Sequence, residues 1–338
     1  MALGLIFGTG DAGDGESLLS AFTKINNMFT TTTKLSNGDL TINDVKVGKG
    51  AGSGNYASTA IGQDTLANAT TGSQNVAIGL NALYSNTSGT YNVAVGVSSQ
   101  RDGQTVGANV SLGNYSLYKN YGGQQNVAVG YSALENNLTG GNNTAVGHEA
   151  LSSNTAFFNI TGIGYNAQVT GSDQIQLGSG STTCYTNGAL QNRSDERDKA
   201  EIRDTVLGLD FINELRPVDY KWDLREDYKS EMPSRLNEDA TEEEEEAHQI
   251  LMNEWLESVK MDNLNHDGTH TRTRYHHGLI AQEVKDVIEA SGVDFGGFQD
   301  HSVNGGQDVL SLGYTELIAP MIKAIQELTA RINVLEGN

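Results

Sequence analysis

Cysteine and proline are almost missing from this chain: 338 residues contain one cysteine and three prolines. A single thiol cannot close an intrachain disulfide, which removes disulfide scaffolds and multi-cysteine zinc sites. Basic side chains are scarce as well, 21 against 42 acidic ones, for a net charge of −21. That sign works against a surface driven by counterion release from a phosphate backbone, so no nucleic-acid partner is expected. No run of about 18 apolar residues occurs, and Met1 to Phe7 lacks the basic flank and cleavage site of a signal peptide. Neither membrane insertion nor a secretory route is expected, and the length points to two domains or more.

Glycine is what the chain has instead, and it is unevenly spread. Residues 1–193 hold 30 of the 40 glycines, with ten acids, seven bases, no proline and no tryptophan. Residues 194–338 carry 32 acids against 14 bases, all three prolines and both tryptophans. A Gly/Asn/Ser-rich tract and a Leu/Glu/Trp-rich tract cannot share one packing scheme, which places a domain boundary at Ser194. The division read from this is an N-terminal attachment segment over 1–45, a repeat region over 46–193 and a separate domain over 194–338.

The repeat has a period of seventeen. Asn75-Val-Ala-Ile-Gly79, Asn92-Val-Ala-Val-Gly96, Asn109-Val-Ser-Leu-Gly113, Asn126-Val-Ala-Val-Gly130 and Asn143-Thr-Ala-Val-Gly147 follow one another at that interval. Ser58 to Gly62 and Ile160 to Gly164 extend the series to seven unit-end glycines. Pairs such as Ala82-Leu83, Ala133-Leu134 and Ala150-Leu151 keep the same phase, as do turn glycines at 72, 89, 123 and 140. Val106 and Phe157 break that last position, so the third and sixth turns are expected to differ in shape. Each unit reads as a short strand with alternating apolar residues, Val76 and Ile78 for example, then a glycine turn and a second short segment. Such a unit cannot bury its apolar face alone, whereas stacked units can, as in a β-solenoid or β-roll. The core remains thin for one chain, so several chains are expected to share it. The units resemble the head repeats of trimeric bacterial adhesins and phage tail fibres over about residues 50–180.

Several other features carry little. Asn86, Asn137 and Asn159 head glycosylation-type triplets, but without a signal peptide no acceptor function is expected. Gly8-Thr-Gly10-Asp-Ala-Gly13 fits a dinucleotide fingerprint, yet lacks the βαβ unit that such a site needs, and reads as a glycine-rich turn. No cofactor is expected. A helix predicted from Glu16 to Phe29 aligns Leu18, Phe22, Ile25 and Phe29 in one stripe, suited to sister chains or to a docking protein.

Beyond the boundary stand Ser194-Asp-Glu-Arg-Asp-Lys199, a helical pattern through Leu207, Phe211 and Leu215, then Leu215-Arg-Pro-Val-Asp-Tyr-Lys-Trp222, Gly278-Leu-Ile-Ala-Gln-Glu-Val284 and Leu312-Gly-Tyr-Thr-Glu-Leu-Ile-Ala-Pro320. This ordered set resembles the C-terminal intramolecular chaperone, a self-cleaving endopeptidase domain of phage endosialidases, tailspikes and tail fibres. The resemblance implies a trimerising domain that helps a β-rich fibre fold and then cuts itself off with a serine–lysine dyad, here Ser194 and Lys199. Serine needs a base to take its proton, and lysine serves only when desolvation or a nearby cation lowers its pKa; Arg197 offers such a cation. A spacing of five does not share a helical face, so the pair must meet through a turn or across a subunit contact. A five-membered ring brings the Ser194 hydroxyl to the carbonyl of Arg193, which favours cleavage between Arg193 and Ser194. The alternative is that Ser194 caps the following helix and Lys199 is solvated.

Glu242 to Glu246 reads as a solvated insertion. His266, His270, His276 and His277 have no spacing that fixes a metal geometry, so no metal is assigned. Trp255 with Ile250, Leu251 and Leu256 reads as a packed helix. The last helix sets Ile318, Met321, Ile325, Leu328, Ile332 and Leu335 at three-four spacing, a coiled-coil seam. Isoleucine at the first seam position with leucine at the second favours two strands; the resemblance implies three, and the short seam yields to it.

The expected fold is thus mainly β, a homotrimeric β-roll or β-solenoid of 17-residue repeats, followed by an α+β chaperone domain ending in a coiled-coil helix. The expected role is a phage tail fibre or tailspike-like protein of the virion, made in the host cytoplasm, whose C-terminal domain either cuts itself off at Ser194 or, in the alternative, is retained uncut as the receptor-facing tip. It would join virion tail or adaptor proteins through its N-terminal segment and meet a host surface receptor, a glycan being one candidate. Beyond self-cleavage no enzymatic activity is expected.

Overall fold

The computed structural model describes residues 33–34, 40–42, 45–50, 57–180, 182, 184–187, 194–234, 236 and 240–337. The glycine fingerprint at 8–13, the helix predicted over 16–29 and Arg193 lie outside the described residues. The chain forms two compact units, Met1–Ser132 and Ala133–Asn338.

In the first unit β1 (Thr33–Lys34), β2 (Leu40–Ile42) and β3 (Val45–Gly48) form an antiparallel meander that pairs with β4 (Thr59–Gly62). From β4 onward the strands run parallel through β5 (Val76–Ile78), β6 (Val93–Val95), β7 (Val110–Leu112) and β8 (Val127–Val129). Ala60, Ala77, Ala94, Ser111 and Ala128 stand in one register, each seventeen residues from the next. The second unit opens with β9 (Thr144–Val146), β10 (Thr161–Ile163) and β11 (Ile175–Leu177), also parallel. The architecture is a β-solenoid of about seven turns.

The unit-end glycines are required twice over. Gly62, Gly79, Gly96, Gly113, Gly130, Gly147 and Gly164 all have φ between 117° and 139°. A Cβ on Gly79 would also lie 2.4 Å from the Gly96 carbonyl oxygen one coil away. The asparagine that opens each pentad closes the stack sideways. Asn92 N–H donates to the Asn75 side-chain oxygen at 2.9 Å, Asn109 N–H to that of Asn92 at 3.1 Å and Asn126 N–H to that of Asn109 at 2.9 Å. Their amide groups donate onward to the carbonyls of Gly89, Val106 and Gly123, so a buried polar column is satisfied coil by coil.

The interior is thinner than the alternating pattern implies. On each strand the middle residue points inward: Ala60, Ala77, Ala94, Ala128 and Ala145 are fully buried, facing Leu66, Leu83, Leu117, Leu134 and Leu151 from the second segment. Val76 and Ile78, read from sequence as the burying residues, therefore flank the buried position and point away from the coil's own core. The coil is narrow at this position, which holds only small residues: at Gly162 the Leu151 side chain would stand 2.6 Å from an added Cβ. The leucines themselves sit at φ of 49° to 53°, a left-handed backbone costing about 1–2 kcal/mol per residue. Burying a leucine side chain returns roughly 1.5–3 kcal/mol, enough to hold them there.

The third and sixth turns do not behave alike. Asn86 and Asn120 each accept a hydrogen bond from the turn glycine three residues on, at 2.9 and 3.0 Å. The sixth turn keeps this bond, from Phe157 N–H to Asn154 at 2.9 Å, despite its phenylalanine. In the third the asparagine is Gly103 and the glycine is Val106, whose buried side chain would touch an added Cβ on Gly103 at 2.8 Å. Asn86 and Asn137 are fully buried, which closes these glycosylation-type triplets to an enzyme; Asn159 is exposed and donates to Asp173 at 2.6 Å.

After the last coil the second unit becomes α+β. It contains α1 (Leu209–Glu214), β12 (Val218–Tyr220), α2 (Glu242–Ser258), β13 (His276–Gly278), α3 (Ala281–Ser291), β14 (Phe298–Asp300), β15 (Leu310–Leu312) and α4 (Ile318–Glu336). β12 pairs with β13 and β14 with β15, both antiparallel. Leu207, Phe211, Val284 and Phe295 form the core, with Ile212, Leu279, Val287 and Leu312 packed around it. The glutamate run is not an irregular insertion: it opens α2, where Thr241 and Glu244 form a reciprocal capping box. Acidic groups there face the positive end of the helix dipole, so a like-charge run is tolerated as helix. Trp255 lies on this helix and donates from its indole nitrogen to the Ser230 carbonyl at 3.0 Å.

Candidate functional site

Asp195, and not Ser194, caps the 3₁₀ turn Glu196–Asp198. Its Oδ1 accepts the Arg197 backbone N–H at 3.0 Å, and the Asp198 and Lys199 N–H groups close the turn onto the carbonyls of Asp195 and Glu196, both at 3.1 Å. This doubling back overcomes the five-residue spacing: Lys199 Nζ donates to Ser194 Oγ at 2.7 Å. The two side chains meet within one chain, through a turn, with no sister subunit needed. The contact is within the reach required of a nucleophile and its base, the base form being the neutral amine that accepts the hydroxyl proton.

Arg197 does not stand as a free cation beside Lys199. Its Nε and Nη2 bond Asp195 at 3.0 and 2.6 Å, an ion pair that lowers the Asp195 carboxyl and raises the guanidinium, chiefly through this side-chain hydrogen bond in both cases. The turn sequence supplies that carboxylate two residues from the arginine, a pairing the sequence reading passed over.

Residues 194–248 match the chaperone of endosialidase. The matched stretch of this chaperone begins on Ser194 and takes in Lys199, the Leu215 to Trp222 motif and the first part of α2; the Gly278 to Val284 and Leu312 to Pro320 motifs lie beyond it. No curated protein matches the chain, and no solved structure does. The chaperone match and the solenoid of about seven turns fit a tailspike- or endosialidase-type fibre with a C-terminal chaperone domain.

Two further sets of side chains in the chaperone domain were singled out in the sequence. On α4 the seam residues Ile318, Met321, Ile325, Leu328, Ile332 and Leu335 are all exposed. An adjoining face of the helix is occupied: Pro320 and Ala324 are buried, Glu327 accepts the Leu209 N–H of α1 at 2.8 Å, and Arg331 pairs with Asp210 at 3.9 Å. The four histidines are dispersed among separate partners. His266 pairs with Asp223 at 3.1 Å and His277 with Asp219 at 2.5 Å, His276 stacks on Tyr220 and His270 meets Tyr228 edge to face. Among the described residues no three His, Cys, Asp or Glu side chains come together to hold a metal.

The domain's most connected histidine was not among these four. His301, just after β14, bonds through both ring nitrogens, to Thr170 and Gln174 of the last coil and to Ser311 of β15. Nothing in its local sequence signals this, because its partners are 131, 127 and 10 residues away.

Proposed function

We propose that this chain is the structural subunit of a phage tail fibre or tailspike that attaches the virion to its host, assembled as a homotrimer with the aid of its chaperone domain. The observation that carries the reading is the 2.7 Å contact of Lys199 with Ser194 inside the chaperone match. In the proposed reaction Lys199 takes the Ser194 hydroxyl proton and Oγ adds to the Arg193 carbonyl carbon. The Arg193–Ser194 C–N bond breaks as the proton passes to the Ser194 nitrogen, leaving an ester. Water then hydrolyses the ester to an Arg193 carboxylate and a free Ser194 amine. One cut per chain is the whole of the chemistry.

Trimerisation is supported by two unpartnered apolar surfaces. One is the outward row of Val, Ile and Leu side chains on successive solenoid strands, among them Leu112 at 38%, Val146 at 39% and Ile163 at 44% exposure. The other is the α4 seam. Identical chains present identical rows at one spacing, so sister copies are their natural cover. In this reading segment 1–45 engages virion tail or adaptor proteins, and the polar sides of the solenoid remain open to a host receptor.

Denaturing electrophoresis of purified protein tests the cut. Wild type is expected to give fragments of 193 and 145 residues, as the bond position in the 338-residue chain dictates. Ser194→Ala and Lys199→Ala are expected to run as the full chain. A wild type that stays intact removes the cleavage, and a Ser194→Ala chain cut at the same bond removes the dyad.

A further inference from the structure

Where the last coil meets the chaperone domain, the joint is built from backbone at close quarters. Gln307 N–H donates to the Thr170 carbonyl at 2.6 Å. A Cβ on Gly306 would stand 3.0 Å from that same oxygen, and one on Gly180 would overlap Glu226. His301 sits at the centre of this joint. Its backbone N–H donates to the Val309 carbonyl at 2.9 Å, Nε2 lies 2.8 Å from the Ser311 hydroxyl, and Nδ1 lies 2.5 Å from Thr170 Oγ1 and 3.1 Å from Gln174 Nε2.

These contacts fix the proton. Gln174 Oε1 accepts the Thr170 N–H at 2.9 Å, and since a backbone N–H can only donate, the amide cannot be turned over. Its NH₂ therefore faces His301, and NH₂ can only donate, so Nδ1 must be the bare acceptor. The ring proton is then on Nε2 and goes to Ser311. The clasp is made for neutral imidazole. A second proton would put N–H against NH₂; the threonine hydroxyl can rotate to accept it, but the amide cannot.

We infer that the His301 clasp is a docking surface that holds the chaperone domain on the last solenoid coil independently of the covalent link, and that protonation of the ring opens it. The consequence rests on the cleavage reading: once the Arg193–Ser194 bond is cut, contacts of this kind decide whether the domain stays or leaves, and acid favours its departure.

Burial lowers the His301 pKa from its ordinary 6.5, and the charge of Asp300 opposes it. Asp300 is itself paired with Lys285 at 3.6 Å. Ionised groups on the elements packed there include Asp173, which accepts from Asn159, Arg225 with Asp308 beside Thr170, and Glu226 against Gly180; the ring's own bonds go to uncharged groups. With the docked pKa below the free one, the undocked state binds more protons, so docking strengthens as pH rises. Its full strength is present above pH 6.5 and fades as pH falls through that value toward the docked one.

Hydrogen exchange on the full Ser194→Ala chain, at pH 8 and pH 5 with rates divided by the intrinsic ones, reads the clasp without requiring a cut. The His301 and Gln307 amides are expected to lose protection at pH 5 relative to pH 8. His301→Gln keeps an acceptor and a donor but does not titrate, and should show equal protection at both pH values. Gln174→Glu places a carboxylate against Nδ1 and should preserve protection at pH 5. Equal protection of the parent chain at both pH values overturns the inference, as does the same acid loss in His301→Gln. Wild-type protein that remains full length on a denaturing gel counts against cleavage alone, and the exchange comparison still decides the clasp.

Discussion

Gln100 stands in a column of leucines. At seventeen-residue steps the inner side chains of the second segment are Leu66, Leu83, Gln100, Leu117, Leu134 and Leu151, all fully buried. Neither the amide nitrogen nor the amide oxygen of Gln100 has a hydrogen-bond partner. Around it the third coil departs from the others in a coordinated way: Gly103 replaces the turn asparagine and buried Val106 fills the room that asparagine leaves. Ser99, Ser111 and Ser116 add a small hydroxyl cluster, with Ser99 Oγ donating to Ser111 Oγ at 2.7 Å and lying 3.1 Å from Ser116 Oγ. A buried amide left unpaired costs about 1–3 kcal/mol. Gln100→Leu is therefore expected to stabilise the folded chain by roughly that amount in denaturant unfolding. An unchanged or lowered midpoint would show that Gln100 is satisfied in the folded protein. Aligning the repeats by their period exposes Gln100, Gly103 and Val106 as departures, but only the packing shows that the last two compensate one another.

Each strand is an element with two apolar registers, and that is why the sequence reading inverted it. A Val-Ala-Val pattern gives the period of two but does not say which set faces the core. Coil width decides it: the inner position holds glycine, alanine or serine, and the branched residues are left outside. The α4 seam follows from three-four spacing and is found exposed on one side of a docked helix, whereas the capping box that turns the glutamate run into helix was there in Thr241 and Glu244 and was outweighed by charge. The two strand registers predict different failures. Ala128→Leu overfills the core and is expected to cost about 1–3 kcal/mol or more, with loss of far-UV β signal at lower denaturant. Leu112→Lys with Val146→Lys should leave that signal native while reducing the mass of the assembly in sedimentation. Retention of the full assembly by the double lysine variant would mean that the outward row is not where chains meet.

At the scale of the whole molecule, the repeat and the chaperone segment were legible because each is written locally, as a fixed period and as a short ordered motif. The dyad contact was legible as a requirement, a turn that joins residues five apart, though not its cause, the Asp195 cap with its arginine. The His301 clasp was not legible, since it joins segments about 130 residues apart through groups that are ordinary in isolation. One feature ties these levels together, a coil whose own core is too thin to bury its branched residues. In the proposed trimer sister chains would cover them, and a domain that brought chains together early would shorten the search for pairing that is slow and prone to aggregation. The most direct test is the solution mass of the uncut Ser194→Ala protein by light scattering or sedimentation equilibrium. The expected result is three times the 36.1 kDa chain, held on dilution; a folded, soluble species at the mass of one chain would contradict the account.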